Sequence, residues 1–206
     1  MDILNGIYNI VPIEKNNLKK VAEMLSIAFY DDPLYRYFTP NDKLRGKNSY
    51  NIFTFVLNHG VKYGKIISES ENINAMLLWY PPNNKCFELI SQVKCGALAL
   101  PFKIGFNSLM RAYNYSQIIE LLHNKYLKEI DYYLYILAVT PENQGKGYSS
   151  IMMRYFLEQI DFNENRVYLE TSNPKNIPIY EHYGFKIKEE VDVPGQGIKI
   201  WPMVKT

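Results

Sequence analysis

A pair of glycines between an apolar strand and a helix constrains this chain more than any other feature. Residues 132–139 read YYLYILAV, which is typical of a buried strand, and residues 151–157 read IMMRYFL, which is typical of a helix. Between them, Gly145 and Gly147 let the backbone of residues 144–149 turn tightly. A helix N-terminus has unpaired N–H donors and a partial positive charge. We therefore expect this turn to bind a phosphate or pyrophosphate group.

Length and charge restrict the class of protein. The 206 residues are enough for one domain with a buried core, and we treat 1–206 as a single domain. The 23 basic and 21 acidic residues give a net charge of +2, which does not favour nucleic-acid binding. No apolar run approaches the roughly 20 residues that span a membrane, so no membrane association is expected.

Cysteine and histidine usage predicts a cytoplasmic protein without a metal. Cys86 and Cys95 lie nine positions apart, and neither they nor His59, His123 and His182 have the spacing of metal ligands. Two thiols without a disulfide framework are most simply reduced cysteines in the cytoplasm. The N-terminus lacks a basic segment followed by an apolar run, so no signal peptide is expected.

The pattern along the chain predicts mixed α and β structure around one sheet. We predict helices at 16–29, 49–63, about 148–160 and 177–183, the last closed by Gly184, and strands at 6–12, 65–69, 73–80, 132–139, 166–171, 185–191 and 198–204. Residues 85–128 are predicted to be largely helical, with breaks near Pro101 and Gly105. This insertion either contributes to substrate selectivity or simply covers the sheet. The aromatic segment 34–38 is expected either beside a pocket or in the core.

A glycine-rich turn between strand and helix also occurs in dinucleotide-binding folds. Gly145-x-Gly147-x-x-Ser150 imitates that fingerprint, and Glu170 ends the next strand. In the dinucleotide fold, however, the first glycine follows the strand directly, whereas here residues 140–144 intervene. The placement argues against this alternative.

Two motifs resemble the GCN5-related N-acetyltransferase (GNAT) superfamily. The first is the strand ending Leu137-Ala138-Val139, then Pro141 and the sequence Gln144-Gly145-Lys146-Gly147-Tyr148-Ser149, where Ser149 stands in place of glycine or alanine. The second runs from Asn173 through Tyr180 to Gly184-Phe185. The specific resemblance covers about residues 131–190. It implies an α/β (α+β) fold with a mixed, mainly antiparallel central sheet, flanked by helices and carrying a helical insertion before the cofactor strand.

The resemblance also implies how acetyl-CoA, the co-substrate, is held. The backbone N–H groups of Gln144, Gly145, Lys146, Gly147, Tyr148 and Ser149 would bind its pyrophosphate. The main chain of Leu137, Ala138 and Val139 would pair with the pantetheine arm in a gap between two splayed strands. Asn173 and Asn176 match positions that hydrogen-bond the cofactor, although both are equally explained as caps of the helix at Ile177. Lys146 either adds charge near a phosphate or is a solvated loop residue.

Tyr180 and Glu170 are the candidate catalytic residues. Tyr180 matches the tyrosine that lies near the cofactor sulfur in the family, and a phenol with a pKa of about 10 can protonate a leaving thiolate. An amine with a pKa of about 10.4 must lose a proton before it attacks, and Glu170 is the best candidate base. Packing of Tyr180 and pairing of Glu170 with a neighbouring base are the structural alternatives. Asp131, Asp31 and Asp32 are weaker candidates for the base.

Together these features predict an N-acetyltransferase that transfers an acetyl group directly to a primary amine in a ternary complex. A small amine is the favoured acceptor, and a lysine or the N-terminus of a peptide is the other acceptor that the sequence allows. The sequence is also compatible with a homodimer. The alternative is a CoA-binding sensor or interaction domain that has lost the transfer activity. Release of free thiol from acetyl-CoA in the presence of amines distinguishes the two.

Overall fold

The computed structural model describes residues 9–83, 88–194 and 197–206, which form a sheet with helices on both faces. The strands are β1 (Val11–Pro12), β2 (Lys65–Ser68), β3 (Ala75–Tyr80), β4 (Asp131–Val139), β5 (Arg166–Thr171), β6 (Lys186–Ile187), β7 (Val191–Val193) and β8 (Ile198–Lys205). The helices are α1 (Leu18–Ala28), α2 (Pro33–Phe38), α3 (Asp42–Tyr63), α4 (Leu89–Lys94), α5 (Leu100–Ile104), α6 (Phe106–Tyr126), α7 (Tyr148–Leu157) and α8 (Ile177–His182).

The sheet is mixed and mainly antiparallel, as the sequence predicted. Its strand order is β1-β2-β3-β4-β5-β8-β6, and β7 also pairs with β8. Neighbouring strands are antiparallel except β4 and β5, which run parallel. The parallel pair lies in the middle of the sheet, where the connection through α7 returns the chain to the same end.

The parallel strands β4 and β5 are joined at one end and separate at the other. They pair only where Asp131–Tyr133 lies against Arg166–Tyr168. Beyond that point β4 stays with β3 and β5 stays with β8. At the joined end the fully buried carboxylate of Asp131 accepts two hydrogen bonds from the Arg166 guanidinium, at 2.8 and 2.7 Å. This ion pair holds the strands together at the closed end of the gap.

A β-bulge bends β4 where it leaves β5. Leu134 pairs with Trp79 and Ile136 pairs with Leu78, so Tyr135 is the extra residue of the bulge. As a consequence, Tyr135 and Ile136 both pack against the same hydrophobic cluster, although consecutive strand residues normally face opposite ways. A bulge increases the local twist and bends the strand. The bulge therefore opens the gap shortly after the last residues of β4 that pair with β5.

Two hydrophobic clusters cover the two faces of the sheet. Against one face pack α1, α3 and α6, with Leu25, Phe53 and Leu122 buried. Against the other face pack α7 and α8, with Phe156 and Tyr180 buried. In α1 the buried residues recur at helical spacing, so the apolar stripe of the sequence is the face that meets the sheet.

Helix α3 begins at Asp42, whereas the apolar pattern predicted a beginning at residue 49. Its first turns bury polar side chains instead of apolar ones, and these side chains find backbone partners. The Arg45 Nε donates to the Thr39 carbonyl at 3.0 Å, and the Asn48 amide donates to the Ile104 carbonyl at 3.0 Å. Because these buried residues are polar, the apolar periodicity did not reveal the beginning of the helix.

Two predicted strands differ in extent from those of the structure. The predicted strand 185–191 is divided into β6 and β7, which pair with different parts of β8. The first strand is seen only as Val11–Pro12, and the start of the predicted strand 6–12 lies outside the described residues.

The predicted helical insertion is present as α4, α5 and α6. Gly105, with φ 78°, separates α5 from α6, as the sequence suggested. Residues 84–87, including Cys86, lie outside the described ranges.

Candidate active site

The glycine turn between β4 and α7 depends on two residues in the left-handed region. Gly145 has φ 77° and Gly147 has φ 86°, conformations that side chains with a Cβ rarely adopt. A Cβ on either residue would meet no atom of the described residues within 4 Å, so packing does not explain the glycines. The conformation explains them, because it turns the chain into α7 and leaves open space beside the backbone.

The N-terminus of α7 offers several unpaired donors. The first hydrogen bond inside the helix runs from the Ile151 N–H to the Gly147 carbonyl, at 3.1 Å. The N-cap residue is Gly147, which has no side chain that could accept a hydrogen bond from this end. The N–H groups of Tyr148, Ser149 and Ser150 therefore have no partner within the helix and point out of its positive end.

Asn143 connects the turn to the neighbouring strand. Its amide nitrogen donates to the Asn74 side-chain oxygen at 3.1 Å and to the Thr140 hydroxyl at 2.9 Å. Its oxygen accepts from the Lys146 ammonium at 3.0 Å. The Thr140 N–H in turn donates to the Asn74 carbonyl at 2.8 Å. The start of the turn is thus fixed on residue 74, just before β3.

Glu69 supports residue 74 through its carboxylate. The residue is buried, and its carboxylate accepts hydrogen bonds from the N–H groups of Asn74 and Ala75, at 2.9 and 2.8 Å, and from the hydroxyls of Ser70 and Ser68, both at 2.9 Å. Burial opposes ionisation of Glu69, but these bonds together outweigh it, so the pKa of Glu69 is lowered. A charged carboxylate therefore organises the β2–β3 turn on which the glycine turn rests.

A cavity of about 710 Å³ opens where β4 and β5 separate. Among the predicted site residues, those that line it are Leu137, Ala138, Val139, Gln144, Gly145, Gly147, Tyr148, Ser149, Asn173, Asn176 and Tyr180. Lys146 is not among the lining residues, and its ammonium is the one bonded to Asn143. The cavity brings both predicted motifs to one place.

The open edge of β4 faces this cavity. The Thr140 N–H points toward β3, and antiparallel pairing alternates the direction of the backbone groups from one residue to the next. The main chain of Leu137 and Val139 is therefore directed toward the gap and away from β3. Consistent with this direction, the Val139 carbonyl accepts a weak hydrogen bond, at 3.4 Å, from the Gln144 side chain.

The two asparagines differ in their roles. Asn173 uses its oxygen to accept from the Lys175 N–H at 3.1 Å, which caps the short turn before α8, and its amide donates to Asp32 at 3.3 Å. Asn176 precedes α8, and among the described residues its side chain makes no capping hydrogen bond. The capping interpretation therefore describes Asn173, whereas Asn176 contributes to the wall of the cavity.

Tyr180 presents a protonated phenol at this cavity. Its ring is buried and packs edge-on against Phe185, with centroids 5.9 Å apart, and its hydroxyl has no hydrogen-bond partner among the described residues. Burial, followed by the charges of Asp32 and Glu170, raises the pKa of Tyr180 well above its ordinary value. The phenol therefore keeps its proton at neutral and mildly alkaline pH.

Glu170 lies at a second cavity, of about 540 Å³, on the opposite face of the sheet from the helix that carries Tyr180. Its side chain is 9% exposed. The Tyr133 hydroxyl donates to one carboxylate oxygen, and the His123 Nε2 lies 3.5 Å from the other. A nearly buried carboxylate with a polar partner on each oxygen can accept a proton from a group that enters this cavity.

Two of the weaker candidate bases are engaged by arginines. Asp131 is bonded to Arg166 at the closed end of the gap and lines neither cavity. Asp31 lines the first cavity but pairs with Arg36 at 2.6 Å on the surface. Neither carboxylate is placed to accept a proton from an amine at the second cavity.

The third weaker candidate, Asp32, has a structural role. It caps α2 by accepting a hydrogen bond from the Leu34 N–H at 3.0 Å, and burial raises its pKa. It lines the first cavity beside Tyr180. Its contribution there is to help keep the phenol protonated.

Comparison with known proteins agrees with this geometry. The family model of the acetyltransferase (GNAT) domain matches residues 104–187. An uncharacterized N-acetyltransferase of Schizosaccharomyces pombe is 29% identical over 185 residues, which cover 87% of this chain and 74% of the relative. The match identifies residues 104–187 as similar to the acetyltransferase (GNAT) domain, and most of the chain is similar to an N-acetyltransferase.

Solved structures of acetyltransferases share this fold. A structure described as histone acetyltransferase HPA2 and related acetyltransferase, from Corynebacterium glutamicum, superimposes with a TM-score of 0.68 at 18% identity, covering 95% of this chain and 94% of that one. Arylalkylamine N-acetyltransferase 2 from Aedes aegypti superimposes with a TM-score of 0.58 at 16% identity, covering 96% and 97%. The dinucleotide-binding alternative is therefore excluded, and the mainly antiparallel GNAT sheet is confirmed.

Sequence reasoning did not find several residues that support this GNAT site. Asn143, Asn74 and Glu69 hold the glycine turn in place. Tyr133 and His123 contact the carboxylate of the candidate base. None of these residues belongs to a local pattern, because each acts on a residue that is distant in the sequence or on another element of the sheet.

Two further findings concern the described part of the chain. No helix there is both long and apolar enough to cross a membrane. Within the same ranges, no group of three or more histidine, cysteine or acidic side chains is arranged to hold a metal ion.

Proposed function

We propose that this protein transfers the acetyl group of acetyl-CoA to the nitrogen of a primary amine by direct attack in a ternary complex. One observation carries the proposal: the cavity in the gap between β4 and β5 is lined both by the N-terminus of α7, with its unpaired donors, and by Tyr180. Glu170 lies on the other side of the sheet from that cavity. The name of the Schizosaccharomyces pombe relative, an N-acetyltransferase, supports nitrogen as the acceptor atom.

The first cavity suits the shape of acetyl-CoA. The open space beside Gly145 and Gly147 allows phosphate oxygens to approach the N–H groups at the start of α7. The backbone of Leu137 and Val139 provides an open strand edge for the amide groups of the pantetheine arm, which would extend the sheet. These are the interactions that a flexible thioester with several phosphates requires.

The chemistry requires one base and one acid. An acceptor enters as an ammonium ion, and Glu170 takes one of its protons. The nitrogen then attacks the thioester carbonyl, so that a C–N bond forms, the C–S bond breaks and the electron pair leaves on sulfur. Tyr180 donates its proton to the thiolate, and the acylated nitrogen loses its second proton to solvent. Glu170 then releases its proton to solvent, and water reprotonates the Tyr180 phenolate, so both residues return to their starting states. The products are an N-acetylated amine and CoA.

Replacement of Tyr180 by phenylalanine tests the assignment of the acid. We expect Tyr180→Phe to bind acetyl-CoA normally but to lower kcat by about 100-fold, the lower end of the range for general acid catalysis. Tyr183→Phe is the matched control, because Tyr183 ends the same helix and does not line the cavity.

Thiol release from acetyl-CoA with a panel of amines, followed by mass detection of the acetylated product, is the measurement. Equal rates for Tyr180→Phe and Tyr183→Phe would contradict the acid assignment. Binding of acetyl-CoA without release of thiol by any amine would instead favour the alternative of a CoA-binding sensor or interaction domain.

A further inference from the structure

The insertion between β3 and β4 exposes many large apolar side chains. Residues 89–113 include α4, α5 and the first turns of α6, and most of the exposed large apolar side chains of the described chain lie there. They are Leu89, Ile90, Val93, Leu98, Phe102, Phe106, Met110 and Tyr113, with Phe102 the most exposed at 92%. An apolar patch of this kind marks a site of interaction. We call the exposed side of residues 89–113 the insertion surface.

Helix α4 turns its apolar side outward. Its buried residue is Ser91, whose hydroxyl lies 3.0 Å from the His59 Nε2. Leu89, Ile90 and Val93 are exposed on the other side of the helix. A helix on a protein surface normally buries its apolar side and exposes its polar side. Packing in the core therefore does not account for the apolar residues of α4.

The first turns of α6 show the same inversion. Ser108 is buried, and its hydroxyl accepts a hydrogen bond from the Asn48 amide at 3.2 Å. Phe106, Met110 and Tyr113 are exposed, and their spacing of four and then three residues places them along one side of the helix. Helix α5, which carries the exposed Phe102, packs against α6. The apolar residues of the two helices thus extend one surface.

The charged residues of this segment are all basic. The stretch between Glu88 and Glu120 contains Lys94, Lys103 and Arg111 and no carboxylate. Lys94 and Lys103 are both exposed. Exposed leucine and phenylalanine side chains accompanied by lysines are typical of helices that lie in the interface of a bilayer with anionic headgroups.

A second copy of the chain would fit this surface less well. In a symmetric dimer the same surface of each copy meets. The exposed lysines of one copy would then face those of the other, with no carboxylate from the stretch between Glu88 and Glu120. Like charges brought together at an interface are unfavourable. Anionic phospholipids complement the lysines with their headgroups and the apolar side chains with their acyl chains.

We propose that the insertion surface docks this protein on membranes that contain anionic phospholipids. Leu98, Phe102 and Phe106 enter the boundary between headgroups and acyl chains, and Lys94 and Lys103 contact the headgroup phosphates. A surface that lies on a bilayer needs no apolar run long enough to span it. The length criterion that predicted no membrane association therefore does not apply to this surface.

Docking would also orient the second cavity. Leu89 and Tyr113 are exposed and line that cavity. The cavity therefore opens beside the insertion surface, at the membrane–water interface when the protein is docked. The docking itself does not depend on the proposed function.

Co-sedimentation of the whole chain with lipid vesicles tests the proposal. We expect binding to vesicles of phosphatidylcholine with about 30% phosphatidylserine to be at least about tenfold tighter than binding to phosphatidylcholine alone. Phe102→Ser should weaken binding to the anionic vesicles by about tenfold, whereas Ile27→Ser, at an exposed isoleucine of α1, should bind like wild type. Lys103→Gln should weaken this binding by about fivefold, and Lys19→Gln, at an exposed lysine of α1, should not.

Because the replaced side chains are exposed, the urea midpoint of unfolding should stay the same in every variant, which verifies that each is folded. Wild-type protein that remains in the supernatant with both vesicle compositions would overturn the proposal, and so would equal binding by Phe102→Ser and Ile27→Ser. A dimer that Phe102→Ser dissociates, in a protein that does not bind vesicles, would assign the surface to a second copy instead. Thiol release measured without vesicles tests the proposed function separately, so the two failures are distinguishable.

Discussion

We expect Gly147→Ala to weaken the binding of acetyl-CoA more than it weakens the fold. Gly147 has φ 86°, and an L-residue in the left-handed region costs about 1–2 kcal/mol. No further cost arises from crowding, because a Cβ would meet no atom of the described residues within 4 Å. The free energy of unfolding should therefore fall by only about 1–2 kcal/mol.

The effect on binding is a separate quantity. Gly147 lines the first cavity, so the added methyl group occupies space that a phosphate would use to approach the N–H groups of α7. Loss of one hydrogen bond to a charged group is worth about 1.5–3 kcal/mol. This corresponds to a rise in the Kd for acetyl-CoA of about tenfold to a hundredfold.

Gly197→Ala is the matched control for backbone strain. Gly197 has φ 62°, also has no atom of the described residues within 4 Å of an added Cβ, and lines neither cavity. Calorimetric titration with CoA gives the Kd of both variants, and denaturant unfolding gives their stabilities. If Gly147→Ala bound CoA as tightly as Gly197→Ala, the role assigned to the glycine turn would be refuted.

Three further predictions concern carboxylates. Glu170→Gln should lower kcat/KM for amines by about 100-fold or more while CoA binding is retained, and the control Glu120→Gln, at the exposed rim, should leave kcat/KM unchanged. Equal kcat/KM in the two variants would contradict the assignment of Glu170 as the base. Glu69→Gln should lower the free energy of unfolding by about 2–3 kcal/mol at pH 7, measured in urea. Because the pKa of Glu69 is lower in the folded protein, its carboxylate contributes fully to stability above pH 4.5, the ordinary pKa of the group. This contribution is lost as pH falls through the pKa of the folded state. The difference in unfolding free energy between Glu69→Gln and wild type should therefore narrow in acid. Asp131→Ala should lower the free energy of unfolding by about 3 kcal/mol, because Arg166 loses its carboxylate partner and keeps, among the described residues, only the hydrogen bond to the Tyr126 carbonyl. The affinity for CoA should be unchanged; a weakened affinity would show that the closed end of the gap also shapes the site.

The sequence predicted those parts of the site that local pattern encodes. The glycine turn, the strand before it and the helix after it are consecutive, so their residue types and order suffice. The segment around Tyr180 is also local, since a short helix ends at a glycine that takes the left-handed conformation, φ 85° at Gly184.

What the sequence did not reveal depends on contacts between distant elements. The polar residues Arg45 and Asn48 are buried because carbonyl groups outside the helix accept their hydrogen bonds, which no periodicity records. The bulge at Tyr135 follows from pairing with β3, and it determines where the gap opens. The second cavity likewise arises from side chains that several separate elements bring together, so its shape could not be predicted without the fold.

The fold explains why the site lies at the centre of the sheet. The parallel strands β4 and β5 are joined at one end by Asp131 and Arg166, and a bulge in β4 bends them apart toward the other end. This separation leaves an open strand edge inside the protein. Unpaired backbone groups in such a place are costly unless a ligand or water satisfies them. The gap is therefore suited to a ligand that carries its own amide groups.

A crystal structure of the protein with bound CoA would test the central claim most directly. We predict that the diphosphate lies within hydrogen-bonding distance of the N–H groups at the start of α7, and that the pantetheine amides bond to the main chain of Leu137 and Val139. A structure in which CoA is bound elsewhere, with the edge of β4 and the glycine turn free of it, would contradict the account.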